Sequence, residues 1–155
     1  MREHLIIRPY READWSAIAE AHDQAREQEL RLSVGVHAFR SLAETADSEG
    51  LFAGELWVAE IKGGVAGFVA IDTPEITWLY VHPERQRAGI GRLLLRHAVS
   101  RINGRVLISA LDGNVPALQL YASEGFLIKE TKDGHLQGDE GVMARGHLLE
   151  LLPTR

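Results

Sequence analysis

The chain has 155 residues, 22 acidic and 17 basic side chains, a net charge of −5 with His neutral, and 45% hydrophobic residues. That length fits one domain over residues 1–155, and the acidic balance argues against a nucleic-acid-binding surface. The sequence has no Cys, which excludes a disulfide scaffold, a thiolate metal site and a cysteine nucleophile, and no apolar run reaches the roughly 20 residues that span a bilayer.

At the start only Leu5-Ile6-Ile7 is apolar, too short a run for a signal peptide, so a soluble cytoplasmic protein is the expectation. Residues 4–8 read as a short strand that Pro9 stops. Residues 12–30 read as a helix, with Trp15, Ile18, Ala19 and His22 three or four apart. Residues 33–35 break it. Residues 36–46 read as a weaker second helix with Phe39, Leu42 and Ala43 on one face.

Three strands are predicted next. Residues 55–62 form the first, Gly63-Gly64 the hairpin turn, because both positions tolerate positive φ, and residues 65–71 the return strand. Thr73-Pro74 breaks the chain. Residues 75–82 form the third strand, and Pro83 ends it. Residues 89–102 then read as a helix with Leu93, Leu94, Ala98 and Ile102 facing the core, and Gly104 beyond its end. Residues 105–111 read as a strand, Asp112-Gly113 as a turn, and Asn114 as the N-cap of a helix that runs to Ser123 and closes at Gly125. A strand over 126–131, a polar Gly-rich loop over 133–141 and a last strand over 142–151 complete the chain. This order predicts an α/β fold with a mixed sheet.

The chemically informative segment is Leu79-Tyr80-Val81-His82-Pro83-Glu84-Arg85-Gln86-Arg87-Ala88-Gly89-Ile90-Gly91-Arg92. A strand ends, a glycine-bearing loop follows and a helix starts. Free N–H groups and the positive end of a helix dipole make an anion site there. Gly89 and Gly91 lack the Cβ that would hold a phosphate away, and Arg85, Arg87 and Arg92 add positive charge. The ATP-type phosphate loop needs a Lys after its last Gly, and none follows Gly91. The dinucleotide fingerprint needs a third Gly where Leu94 stands, and an early βαβ unit.

Gln86-Arg87-Ala88-Gly89-Ile90-Gly91 resembles the Gln/Arg-x-x-Gly-x-Gly/Ala signature of the GNAT superfamily of acyl-CoA-dependent N-acetyltransferases. A second motif, residues 114–126 from Asn114 through Tyr121 to Gly125-Phe126, and a third, Ile7-Arg8-Pro9 followed by Asp14, are similar to that family in the expected order. The resemblance implies a mixed, largely antiparallel sheet flanked by helices and splayed between strands four and five, with acetyl-CoA as co-substrate in the gap. It implies that Gln86, Arg87, Ala88, Gly89, Ile90, Gly91 and Arg92 wrap the pyrophosphate, that Leu79, Tyr80 and Val81 pair with the pantetheine arm, and that Asn114 and Tyr121 contact the cofactor. The activity it implies is acetyl transfer to a primary amine by direct attack in a ternary complex. The alternative is a non-catalytic acyl-CoA-binding or regulatory module on the same fold.

Acetyl transfer needs a proton removed from the amine, charge stabilised on the thioester oxygen and, with benefit, a proton for the departing thiolate. Tyr121 suits the last task, because a phenol of pKa about 10 is protonated at neutral pH. Glu75 lies eleven residues before Gln86, where histone-acetylating family members carry their base. Ribosomal-protein-acetylating members carry a Glu five residues before the helix Asn. Ser109 stands there, which disfavours that mechanism, and a water is the other candidate base. The seven His, at 4, 22, 37, 82, 97, 135 and 147, show no metal-ligand spacing, so no metal is expected. The acceptor pocket is expected between the two early helices and residues 133–141, where Glu27, Glu29, Asp139 and Glu140 would suit a cationic amine. A small amine, an amino acid, an antibiotic and a protein terminus all remain open as acceptors. No nucleic-acid or membrane partner is expected, and a homodimer is one assembly open to the chain.

Overall fold

In the computed structural model, which describes residues 4–136 and 139–153, the chain runs β1 (Ile6–Pro9), α1 (Trp15–Arg31), α2 (Leu42–Thr45), β2 (Glu55–Ile61), β3 (Gly64–Asp72), β4 (Glu75–Val81), α3 (Ile90–Ser100), β5 (Val106–Leu111), α4 (Val115–Ser123), β6 (Leu127–Leu136) and β7 (Asp139–Leu151). The strands make one seven-stranded sheet in the order β1-β2-β3-β4-β5-β7-β6. All pairings are antiparallel except β4 with β5, which is parallel. Helices flank the sheet, as the GNAT resemblance predicts.

Period-two alternation along β3 feeds two cores. Val69 and Ile71 pack with Leu94, Leu95 and Ala98 of α3, while Phe68 and Ala70 pack on the other face with Ile18 of α1 and Leu42 of α2. Arg8 leaves β1 to make a two-pronged ion pair with buried Asp14, at 2.8 Å to each oxygen, and Arg11 N donates to the same carboxylate at 2.8 Å. This pairing gives the Arg8 and Asp14 motif its structural purpose: it fixes the entry into α1.

Five sequence expectations change. Pro9 does not stop the first strand but belongs to it, paired with Trp57. The hairpin turn is Lys62-Gly63, both at positive φ (50° and 77°), because Ile61 pairs with Gly64. The second early helix is two short pieces. A single 3₁₀ turn spans Val36–Ala38, and α2 starts afresh because Ser41 and Glu44 form a capping box and Leu42 N donates to Asp23 at 2.9 Å. Ala43 therefore faces solvent. On α3 the core face uses Ile90, Leu94, Leu95 and Ala98, and Leu93 is only half-buried. The predicted polar loop at 133–141 is mostly strand, since β6 and β7 continue as a hairpin in which Asp133 faces Arg145 as register partner and ion pair. Among the described residues, no helix is long and apolar enough to cross a membrane.

Candidate active site

β4 and β5 pair only at Glu75↔Leu107 and Ile76↔Ile108. Beyond Ile76 the strands part, and the β5-facing edge of β4 has no strand partner. Thr77, Leu79 and Tyr80 of β4, Ser109 of β5 and Tyr121 of α4 line the resulting cleft. Leu79, Tyr80 and Val81 keep their β3 partners, Val69, Phe68 and Gly67.

The loop after β4 is shaped by its own side chains. Residues Pro83–Arg85 form one 3₁₀ turn, and His82 Nδ1 accepts from Glu84 N at 3.1 Å. Gln86 Nε2 donates to the Val81 carbonyl at 3.0 Å. Arg87 (φ 67°) and Gly89 (φ 83°) both take the left-handed conformation, and Gly89 becomes the N-cap of α3. The first N–H groups of α3 have no partner within the helix, and they point with the dipole toward any anion at this end. Gly89 is required by its φ. Gly91 is not required by space: a Cβ there would meet Val81 Cγ2 at 3.7 Å and Leu120 Cδ2 at 3.9 Å, ordinary contacts. Ala88 is exposed and Ile90 buries its side chain in the core. Arg85 and Arg87 are exposed, whereas Arg92 is held by Ser123 Oγ at 2.9 Å and by Glu124, which also pairs with Arg96.

Tyr121 is 7% exposed, its ring 6.1 Å from that of Phe126. Among the described residues its hydroxyl has no hydrogen-bond partner. Burial, and then the charge of Glu29, push its pKa above the ordinary phenol value, so it carries its proton at neutral pH. Asn114, 9% exposed, accepts from Ala117 N at 3.5 Å as the N-cap of α4 and donates through Nδ2 to Glu29 Oε2 at 2.8 Å. The other oxygen of Glu29 accepts from the Tyr80 hydroxyl at 2.9 Å and from Arg26 at 2.5 Å.

A cavity of about 620 Å³ adjoins the cleft, with Glu29, Thr77, Trp78, Tyr80 and Ser109 lining both. Its other walls are His22 and Arg26 of α1, Thr45 and Glu49, Glu75 of β4, and Lys132, His135 and His147 of the β6–β7 hairpin. Glu75 is half-buried, and burial followed by the charge of Asp72 pushes its pKa above the usual carboxylate range. Burial does the same for Glu49. Among the described residues neither carboxylate has a side-chain hydrogen bond or ion pair. His22 is buried with its ring edge on Tyr80, 4.8 Å between centroids, and burial lowers its pKa. His147 bridges Thr131 and Asp112 at 2.8 and 2.9 Å.

The structure thus brings Tyr121, Tyr80 and Leu79 to the cleft and Glu75 and Glu29 to the cavity. Glu27 lies off the cavity, paired with Arg31 at 3.8 Å, and the side chains of Asp139 and Glu140 lie outside the described residues. His37 is exposed, and His82 points to Glu20 at 3.3 Å. Sequence reasoning missed Glu49, which sits in a charged stretch with no motif. It also missed the joint attachment of Glu29 to Tyr80 and Asn114, partners 51 and 85 residues away. Among the described residues no cluster of His, Asp and Glu is arranged to hold a metal ion.

Residues 53–128 match the family model described as acetyltransferase (GNAT) domain. Among solved structures, a GCN5-related N-acetyltransferase from Rhodopseudomonas palustris is similar with a TM-score of 0.74 and 21% identity, covering 99% of this chain and 98% of that one. The structure of yncA from Salmonella typhimurium, solved with its cofactor acetyl-CoA, gives 0.71 and 20%, covering 99% and 96%. The ribosomal-protein-S18-alanine N-acetyltransferase of Escherichia coli gives 0.67 and 19%, covering 97% and 95%. At these identities the likeness is one of fold. A comparison with curated protein sequences finds no match.

Proposed function

We propose that this chain, whose residues 53–128 match the GNAT acetyltransferase domain, moves an acetyl group from acetyl-CoA to a primary amine by direct attack in a ternary complex. One observation carries the reading: a buried tyrosine, whose hydroxyl has no hydrogen-bond partner among the described residues, lines a cleft of parted strands, next to a cavity with two half-buried carboxylates that have no side-chain hydrogen bond or ion pair among those residues.

The roles follow from chemistry. The thioester supplies the activated acetyl group. Main-chain N–H groups from Gln86 to Arg92 hold the pyrophosphate, with Arg87 contributing charge and Gly89 a bare backbone. The unpaired edge of β4 from Leu79 to Val81 takes the pantetheine arm as an added strand would be taken. Glu75 removes the proton from the ammonium form of the acceptor. A base is most effective with a pKa near the working pH, and burial moves this carboxyl in that direction. The freed amine attacks the thioester carbon, and Tyr121 donates its proton to the sulfur as the carbon–sulfur bond breaks. Both Glu49 and Glu75 favour a cationic acceptor, because a half-buried carboxylate without a partner gains most from one. Ser109 replaces the Glu of ribosomal-protein-acetylating members, which favours a small amine over a ribosomal-protein terminus.

The test is thiol release from acetyl-CoA across a panel of monoamines, diamines, amino acids, aminoglycosides and peptides. Release that depends on one amine class is the expected result. No release with any amine would overturn the proposed transfer.

A further inference from the structure

We infer that Glu29 is a positioning residue for the reaction, holding the two walls of the cleft in register by gripping Tyr80 on one side and Asn114 on the other. The inference rests on the acetyl-transfer reading above. Nothing in the sequence motifs marks this residue.

The argument is one of connectivity. Glu29 sits near the end of α1 with its side chain 16% exposed, and it lines both the cleft and the cavity. Its two oxygens receive three donors from three elements: Arg26 on α1, Tyr80 on β4 and Asn114 at the head of α4. The walls that must stay a fixed distance apart are β4 and α4, and among the described residues this carboxylate is the only side chain hydrogen-bonded both to a side chain of β4 and to the N-cap side chain of α4. Asn114 does two jobs with one amide. Its oxygen caps α4, and its nitrogen is held by Glu29, so the carboxylate fixes which way the amide faces. Tyr121 lies seven residues on, two turns along the same face of α4. A shift at Asn114 is therefore delivered to the Tyr121 hydroxyl.

Charge adds a second route. Burial first, and then the charge of Glu29, raise the pKa of both Tyr80 and Tyr121 and keep them protonated, which Tyr121 needs as a proton donor. An apolar side chain at 29 would fill the same space without paying for a buried carboxylate.

The experiment is Glu29→Gln, alone and combined with Tyr121→Phe. With the melting temperature and CoA affinity retained, kcat should fall roughly 10- to 10²-fold with the amine KM near its wild-type value, the scale of a displaced reacting group. In the Tyr121→Phe background the same change should cost under about threefold, since residues acting through one another are not additive. Equal cost in both backgrounds, or a change confined to the amine KM, would overturn the inference. A second readout does not use activity. The chain has three tyrosines, Tyr10, Tyr80 and Tyr121, so each ring carbon signal can be followed in tyrosine-labelled protein. Glu29→Gln should shift the ring signals of Tyr80 and Tyr121 at neutral pH and leave those of Tyr10 alone. Glu29→Asp, which keeps the charge but shortens the reach, should also move them and still lower kcat. Tyr121 ring signals unmoved in Glu29→Gln would refute the link even if no acceptor amine is found. Absence of acetyl transfer in the wild type, with the tyrosines moving as stated, would refute only the functional reading.

Discussion

The side-chain amide of Gln86 donates to the carbonyl of Val81 at 3.0 Å, tying the end of β4 to the loop that opens α3. Arg87 and Gly89 then turn the chain through two left-handed residues into the helix. The end of the cleft proposed to hold the pyrophosphate is thus shaped by contacts internal to the loop, and a ligand there would have little ordering to impose.

Acetyl-CoA should therefore raise the melting temperature in a concentration-dependent way, by about 2.7 kcal/mol of added stability at a hundred times its Kd. NAD and ATP at the same concentrations should do less. Thermal melts at matched ligand concentrations check this, and an equal shift with NAD would contradict the site.

The two loop glycines should separate on mutation. Gly89→Glu places a side chain and a negative charge at a left-handed N-cap, so CoA affinity should be lost and stability should drop by about 1–2 kcal/mol. Gly91→Ala meets only ordinary contacts in the first turn of α3, so it should keep CoA affinity and leave stability equal or raised by up to about 1 kcal/mol. Titration calorimetry with CoA and denaturant melts read both.

Glu75→Gln should lower activity and raise stability together. Burial and then Asp72 lift the folded-state pKa of Glu75 above its unfolded value, so its contribution is fully favourable below the unfolded pKa and is lost as pH rises through the folded pKa. At neutral pH the ionised Glu75 is a liability to the fold. Replacement by Gln should thus raise the melting temperature near pH 7 and change it little near pH 4. Turnover should fall at neutral pH and recover partly at high pH, where the amine loses its proton unaided. Parallel pH–rate profiles for the two proteins would remove Glu75 from the base role.

Tyr121→Phe keeps the ring against Phe126 and removes a hydroxyl that has no partner among the described residues. Stability should be unchanged or slightly higher, because no hydrogen bond is lost. As the proton donor to sulfur, its loss should cut kcat by roughly 10² to 10⁴ and move CoA affinity far less. Single-turnover acetyl transfer reads the chemical step directly, and a wild-type rate there would leave Tyr121 as a packing residue.

The sequence made the order of strands and helices readable, because hydrophobic period and turn residues are local. It misled where a local signal had two readings. Asp133, Gly134 and Gly141 look like a loop, yet alternation from Val142 to Leu148 and the Asp133–Arg145 pair carry a solvent-facing hairpin through them. Gly63-Gly64 looked like the turn, but pairing across β2 and β3 set the register one residue earlier. At the site, the strand-to-helix turn from Gln86 to Gly91 was legible because its glycines are a local signal, and Gly89 does take the left-handed conformation there. The pairing of the Arg92 side chain with Glu124 at the C-terminal end of α4 was not legible, since it is set by tertiary packing. Glu29 was legible only as acidic lining, and its partners are set by tertiary packing.

The two-residue pairing of β4 with β5 divides the sheet into two plates hinged at one end. Glu75 lies at the hinge itself, facing Leu107, while Tyr80 and Val81 lie toward the free end of the gap. Were the plates to open or close around a guest, Glu75 would travel least and the free end most. Such a pivot would let one part of the machinery keep its place while the mouth adapts to the girth of what enters.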